Sequence, residues 1–182
     1  MVERGPPIRE AGPEDAEGLA ELIRVSFAEV AERHGLTSDN CPSHPSFCTP
    51  EWVRRDLERG SRFFVAELDG GAIGCVSLGR GHHAPLELRR LAVAPAHRHR
   101  GLGERLVHRA LEEAWASGAR SVEIGIIADD FRLRRWYEAL GFRLLRTCAF
   151  SHLPFEVAIL VAAADGAAPL GAPSASPAAP PG

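Results

Sequence analysis

Apolar positions along the chain fall into two kinds of run, one with helical spacing and one with strand spacing. Leu19, Leu22, Ile23, Phe27 and Val30 recur every three or four residues, and Pro13, Glu14, Asp15 and Glu17 lead into them. Proline is tolerated in a first turn and acids suit the positive end of the helix dipole, so a helix is predicted from Pro13 to about His34. A short edge strand is expected before it, over Ile8–Ala11. The turn-rich stretch GLTSDNCPSHPSFC reads as a loop, after which Thr49 and Pro50 open a second helix that Gly60 closes. RFFVAEL, DGG and AIGCVSL then read as strand, tight turn, strand.

The next strand, Leu86 to Val93, carries an irregularity. Leu86 and Leu88 share one parity, Leu91 and Val93 the other, so the alternation slips at Arg89-Arg90 and predicts a β-bulge there. Leu102, Leu106, Val107, Ala110, Leu111, Ala114 and Trp115 form a clear amphipathic stripe that Gly118 ends. SVEIGII follows as a strand, and a parallel βαβ unit is expected. Leu133, Trp136, Tyr137 and Leu140 form a further helical stripe after Asp129-Asp130, stopped by Gly141. FRLLRTCAF and FEVAILVA complete the strands. Residues 165–182, DGAAPLGAPSASPAAPPG, cannot supply a core and are expected as a disordered tail behind a single domain over 1–164.

Composition narrows the chemistry. With 182 residues, 45% hydrophobic and 25% charged, the chain suits one soluble domain and a tail. A net charge of −3 gives no global reason to expect nucleic acid or an anionic membrane as partner. All 21 basic residues are arginine, which excludes chemistry that needs a lysine. The four cysteines have irregular spacing and read as reduced thiols. MVERGPPIRE lacks the apolar core of a signal peptide, and no apolar run approaches a bilayer span. A cytoplasmic location is expected.

One stretch, HRHRGLGERL over residues 97–106, combines a basic run, two glycines and a helix start. Unpaired N–H groups at a helix N-terminus bind anions, Gly101 and Gly103 admit a close approach, and Arg98 and Arg100 supply charge of matching sign. Phosphate or pyrophosphate is the ligand this pattern suits; the alternative is a solvated basic loop. A P-loop would need the absent lysine. A dinucleotide fingerprint fails at its third glycine, where Leu106 stands.

The stretch LRRLAVAPAHRHRGLGERLVHRALEEA resembles the acetyl-CoA-binding motif of the GNAT acetyltransferase superfamily, including an R-x-x-G-x-G core at Arg98, Gly101 and Gly103. LRRWYEALGF resembles that family's second motif. The resemblance implies an α/β (α+β) fold, a mixed central sheet of about six to seven strands with a βαβ acetyl-CoA-binding core flanked by helices. It implies acetyl-CoA as co-substrate and an amine-bearing acceptor, with direct transfer to a primary amine of a small molecule or a peptide. Backbone groups of Leu91, Ala92 and Val93 would hold the pantetheine, and Arg98, His99, Arg100, Gly101, Leu102 and Gly103 the pyrophosphate. Asp130 and Leu133 complete the cofactor set, although the family often has Asn and a small residue at those positions. Tyr137, the only tyrosine, would donate a proton to the departing sulfur; its other reading is a member of the apolar stripe. Glu87 is the candidate base, and its other reading is a strand acid paired with an arginine. Glu123, His83 and His152 are weaker alternatives for that role.

The same resemblance implies that NCPSHPSFC and SHLPF, with His44, Phe47, His152 and Phe155, border the acceptor. Cys41, His44 and Cys48 lack a fourth ligand at metal-finger spacing, so no metal is expected. Two other functions compete: a degenerate domain that binds acyl-CoA without turnover, and RNA binding through HRHR, which lacks an aromatic platform. No nucleic acid or membrane partner is expected, and the sequence does not distinguish a monomer from a homodimer.

Overall fold

Strands β2 (Arg62–Leu68) and β3 (Gly71–Arg80) are apolar at nearly every position because both of their faces are covered. Phe64, Ala66, Val76 and Leu78 pack on one side with Leu106, Val107 and Ala110 of α3 (Leu102–Ala116) and with Tyr137 of α4 (Phe131–Ala139). Phe63, Val65 and Cys75 pack on the other with Leu19 and Ile23 of α1 (Ala16–Arg33) and Val53 of α2 (Pro50–Glu58). This computed structural model describes residues 5–80 and 85–164. The expected tail and His83 therefore lie outside the described residues. None of the described helices is long and apolar enough to cross a membrane.

The other strands are β1 (Ile8–Ala11), β4 (Leu86–Val93), β5 (Ser121–Ile127), β6 (Arg143–Ala149) and β7 (Glu156–Ala163). Together they form one seven-stranded sheet in the order β1-β2-β3-β4-β5-β7-β6. Every neighbouring pair is antiparallel except β4 and β5. These two are joined through α3, the expected parallel βαβ unit. Its chain start differs slightly from expectation. Pro13–Asp15 form a 3-10 turn, and α1 proper begins at Ala16. The turn is tight because the Asp15 carboxylate folds back to accept the Gly12 N–H at 2.8 Å and is held there by Arg9.

The parity slip in β4 is a bulge. Pairing with β3 runs Gly74↔Val93 and Cys75↔Ala92, then resumes at Ser77↔Arg89, so Val76 faces both Arg90 and Leu91. Arg90 takes φ +50° to make room for the extra residue. Before the bulge Leu86 and Leu88 face α3; after it Leu91 and Val93 do, while Ala92 faces α1. Two bulge carbonyls find side-chain donors on β3. Ser77 Oγ donates to the Arg89 carbonyl at 3.1 Å, and Cys75 Sγ reaches the Arg90 carbonyl at 3.6 Å. This explains a buried serine in an otherwise apolar strand.

A second irregularity lies on the opposite edge of β4. β4 and β5 pair only at Leu86↔Val122 and Glu87↔Glu123. From Ile124 onward β5 continues alongside β7 alone, up to Ile127↔Val157. The β5-facing edge of β4 from Leu88 to Val93 thus has no strand partner among the described residues.

Ser77→Ala should leave the Arg89 carbonyl without its donor in a dry site. We expect a loss of about 1–3 kcal/mol in urea-unfolding stability, with Ser77→Thr retaining more of it than Ala. A loss below about 0.5 kcal/mol would mean that the bulge does not depend on this bond.

Candidate functional site

The open edge of β4 ends where the glycine-rich turn begins. Gly101 is the N-cap of α3 at φ +76°, a left-handed conformation that an ordinary residue adopts only with strain. A glycine cap brings no side-chain oxygen, and no side chain caps this helix. The first N–H groups of α3 therefore keep their capacity for an external anion. His99, also left-handed at φ +61°, and Arg100 are exposed beside them. Leu102 turns inward as part of the core. The hydrogen that replaces a side chain on Gly103 faces the Trp136 ring and Val93; a Cβ there would lie 3.5 and 3.8 Å from them. Gly103 thus lets α3 approach α4 and the end of β4.

Arg98 and Arg100 differ in use. The Arg98 guanidinium donates to the carbonyls of Val93 at 3.1 Å and Ser26 at 2.8 Å, and pairs with Glu29 at 3.1 Å. It ties the end of β4 to α1. Arg100 has no carboxylate partner among the described residues, so its charge is available at the turn. Leu91, Ala92 and Val93 lie on the stretch of β4 that has no β5 partner, and the Val93 carbonyl is already taken by Arg98.

Tyr137 is 2% exposed, edge-on to Trp136 at 4.8 Å and to Phe142 at 5.4 Å between ring centroids. Among the described residues nothing accepts a hydrogen bond from its hydroxyl. Burial pushes its phenol upward, so it stays protonated at neutral pH. Asp130 caps α4, its carboxylate accepting the Leu133 N–H at 2.9 Å. That bond orders the start of the helix that carries Tyr137.

Glu87 and Glu123 are registered neighbours on the last rung before β4 and β5 part. Since Leu86, Leu88, Val122 and Ile124 face α3, both carboxylates face the other way, toward the α1 side. Tyr137 and this acid pair therefore lie on opposite faces of the sheet. Glu87 is paired with Arg89, whose Nε donates at 2.6 Å, and Glu123 lies 3.8 Å from Arg146.

The loop after α1 and the β6–β7 connection meet. Leu153 and Phe155 pack against Ala31, Leu36 and Cys41. An open cavity of about 500 Å³ lies between the two loops, with His152, Ser151, Asp39 and Asn40 on its walls. His44 is buried within the first loop. Its Nδ1 accepts the Ser46 N–H at 3.3 Å, and its ring stands edge-on to Phe27 and Phe47. Burial, with His34 adding to it, holds its imidazole below the usual range, and its place in the fold is that of a packing and capping residue. His152 is exposed beside Phe150. A second cavity, about 380 Å³, shares the Pro42–Ser43 wall and is lined by Trp52, Arg55, Asp56 and Arg90. Sequence reading missed these residues. Only the parity slip at Arg90 pointed toward them.

Residues 17–142 match the family model described as the acetyltransferase (GNAT) family. The chain belongs to the GNAT family. Its curated relatives include the amino-acid acetyltransferase of Pseudomonas paraeruginosa, 30% identical over 142 residues, which are 75% of this GNAT chain and 27% of that protein. The N-acetylaspartate synthetase of Rattus norvegicus is 37% identical over 86 residues, 46% of this chain and 28% of that one. The chain thus spans under a third of the length of either. Among solved structures, paia N-acetyltransferase from Thermoplasma acidophilum in complex with coenzyme A has a TM-score of 0.70 at 21% identity, covering 87% of this chain and 98% of that one. The yncA protein of Salmonella typhimurium, solved with acetyl-CoA, has a TM-score of 0.66 at 21% identity, covering 91% and 98%. The GNAT fold is shared with both.

The different use of the two arginines can be measured. Arg98→Ala removes charge-assisted bonds to two carbonyls and should cost about 1.5–3 kcal/mol in urea unfolding. Arg100→Ala, at an exposed and unpaired site, should stay within about 0.5 kcal/mol of the wild type. Equal losses for the two variants would contradict the assignment.

Proposed function

We propose that this chain is an acetyl-CoA-dependent N-acetyltransferase that acts by direct transfer to a primary amine. The observation that carries the reading is the parting of β4 from β5 beside the uncapped N-terminus of α3. The pyrophosphate of acetyl-CoA sits on the N–H groups of residues 101–104, with Arg100 contributing charge. The pantetheine runs along the open edge of β4 from Val93 toward Leu88, where backbone groups replace the missing strand. The thioester then reaches the gap above the Glu87–Glu123 rung.

The gap gives the reaction its two sides. A neutral amine arriving from the α1 side attacks the thioester carbonyl, forming a C–N bond. The C–S bond then breaks, the amine loses a proton, and the CoA thiolate gains one. Tyr137 is the acid from the α3 side: buried, protonated and without a described acceptor for its hydroxyl. Glu87 takes the amine proton, directly or through water, and Glu123 beside it is the second carboxylate within reach of that role. Asp130 and Leu133 act by ordering the start of α4. The His152–Phe155 connection and the loop around His44 and Phe47 border the acceptor's approach. The names of the amino-acid acetyltransferase and N-acetylaspartate synthetase relatives support an amine of a small molecule as acceptor. Acetyl-CoA as co-substrate and four free cysteines suit the cytoplasm.

Tyr137→Phe keeps the ring and its contacts and removes one hydroxyl. Thiol release from acetyl-CoA over a panel of amines should show kcat lowered by roughly 10²–10⁴, with acetyl-CoA affinity within a few-fold. Turnover within about threefold would strike Tyr137 from the catalytic residues. Acetyl-CoA binding with no transfer to any amine would leave an acyl-CoA-binding module instead.

A further inference from the structure

The cavity between α2 and the β4 bulge has a charge that the transfer reaction does not require. Arg90 is turned toward α2 by the bulge and grips Asp56 through Nε at 2.8 Å and Nη2 at 2.7 Å, with its guanidinium 5.8 Å from the centre of the Trp52 ring. That pair is internally neutral. Arg55 and Arg59 line the same cavity, are exposed, and have no carboxylate partner among the described residues. Arg54, their neighbour on α2, pairs with both Glu17 and Glu51. Arg55 on α2 and Arg59, the residue that caps the helix C-terminus, are four residues apart, a spacing at which like charges repel. Two unpaired guanidiniums beside a neutralised third, in a cavity of about 380 Å³, make a receptor for a small anion in a chain of net charge −3.

We propose that this cavity binds a carboxylate of the acceptor, so that the amine acetylated here belongs to an acidic molecule such as a dicarboxylic amino acid; the proposal rests on the transferase reading above. Guanidinium forks match carboxylates bidentately. Position supports it as well. Arg90 and Glu87 are three residues apart on one strand, at most roughly 10 Å at the regular rise of about 3.3 Å per residue and less because of the bulge. The bulge turns Arg90 to the α1/α2 side of the sheet, the side that Glu87 also faces. The cavity that Arg90 walls and the Glu87 carboxylate thus open on the same face of the sheet. The same charge disfavours a polycationic acceptor.

The test uses the full chain saturated with CoA. L-Aspartate, L-glutamate, their diamides and spermidine are titrated while the arginine Nε–H resonances are followed by NMR. The acids should bind at least about tenfold more tightly than the diamides, perturbing Arg55 and Arg59, and spermidine should not compete. Arg59→Glu should remove that preference and, in acetyl transfer, raise the acceptor KM by about tenfold or more with kcat within a few-fold. Arg143→Glu, on the far edge of the sheet, should keep the preference. Equal binding of acids and diamides, or a preference that survives Arg59→Glu, overturns the proposal. Acid binding at these arginines without acetyl transfer to any amine would remove the transferase reading and leave the carboxylate site standing.

Discussion

The fold depends on an interrupted hydrogen-bond ladder. A sheet stabilises itself by pairing every backbone group, and an unpaired buried group costs about as much as a lost hydrogen bond. β4 breaks this rule on both edges. Toward β3 the ladder skips at Arg90-Leu91, and Ser77 and Cys75 lend side-chain donors to the bulge carbonyls. Toward β5 it stops after Glu87, and nothing described fills the space. The first defect is repaired within the chain. The second is the opening that a ligand's own polar groups can complete.

Rigidity around that opening comes from arginines used as ties. Arg98 joins the end of β4 to α1, and Arg90 joins the bulge to α2. Both reach across elements distant in sequence, and both are fixed by several bonds at once. On the other face, Gly103 lets α3 close on Trp136 and Val93, and Asp130 orders the helix that carries Tyr137. The gap is thus framed on each side by contacts that do not themselves occupy it.

Much of this was legible from local pattern. The helical stripes of α1, α3 and α4, the Asp69-Gly70 hairpin turn and the parity slip of β4 all follow from spacing along one segment. The structure places each where spacing put it, apart from the short turn before α1. The glycine turn was legible for the same reason, since left-handed backbone and an uncapped helix start are local properties. Partnership between distant residues was not. Arg98 and Arg100 look alike in HRHRGLG, and only the arrival of Ser26 and Glu29 from α1 makes one a tie and leaves the other free. His44 carries no mark in sequence of the burial that Phe27 and Phe47 impose.

By itself, then, the sequence determined the elements, the family-like glycine motif and the residue types able to do the chemistry, because each of these is decided within a few residues of chain. Tertiary structure alone decided that β4 and β5 part after one rung of acids, that Tyr137 and Glu87 lie on opposite faces, and that Arg55, Arg59 and Arg90 share one cavity. The physical reason is that charge pairing and cavity shape are set by segments that meet only when the sheet closes, and no periodicity along the chain records which of them will meet.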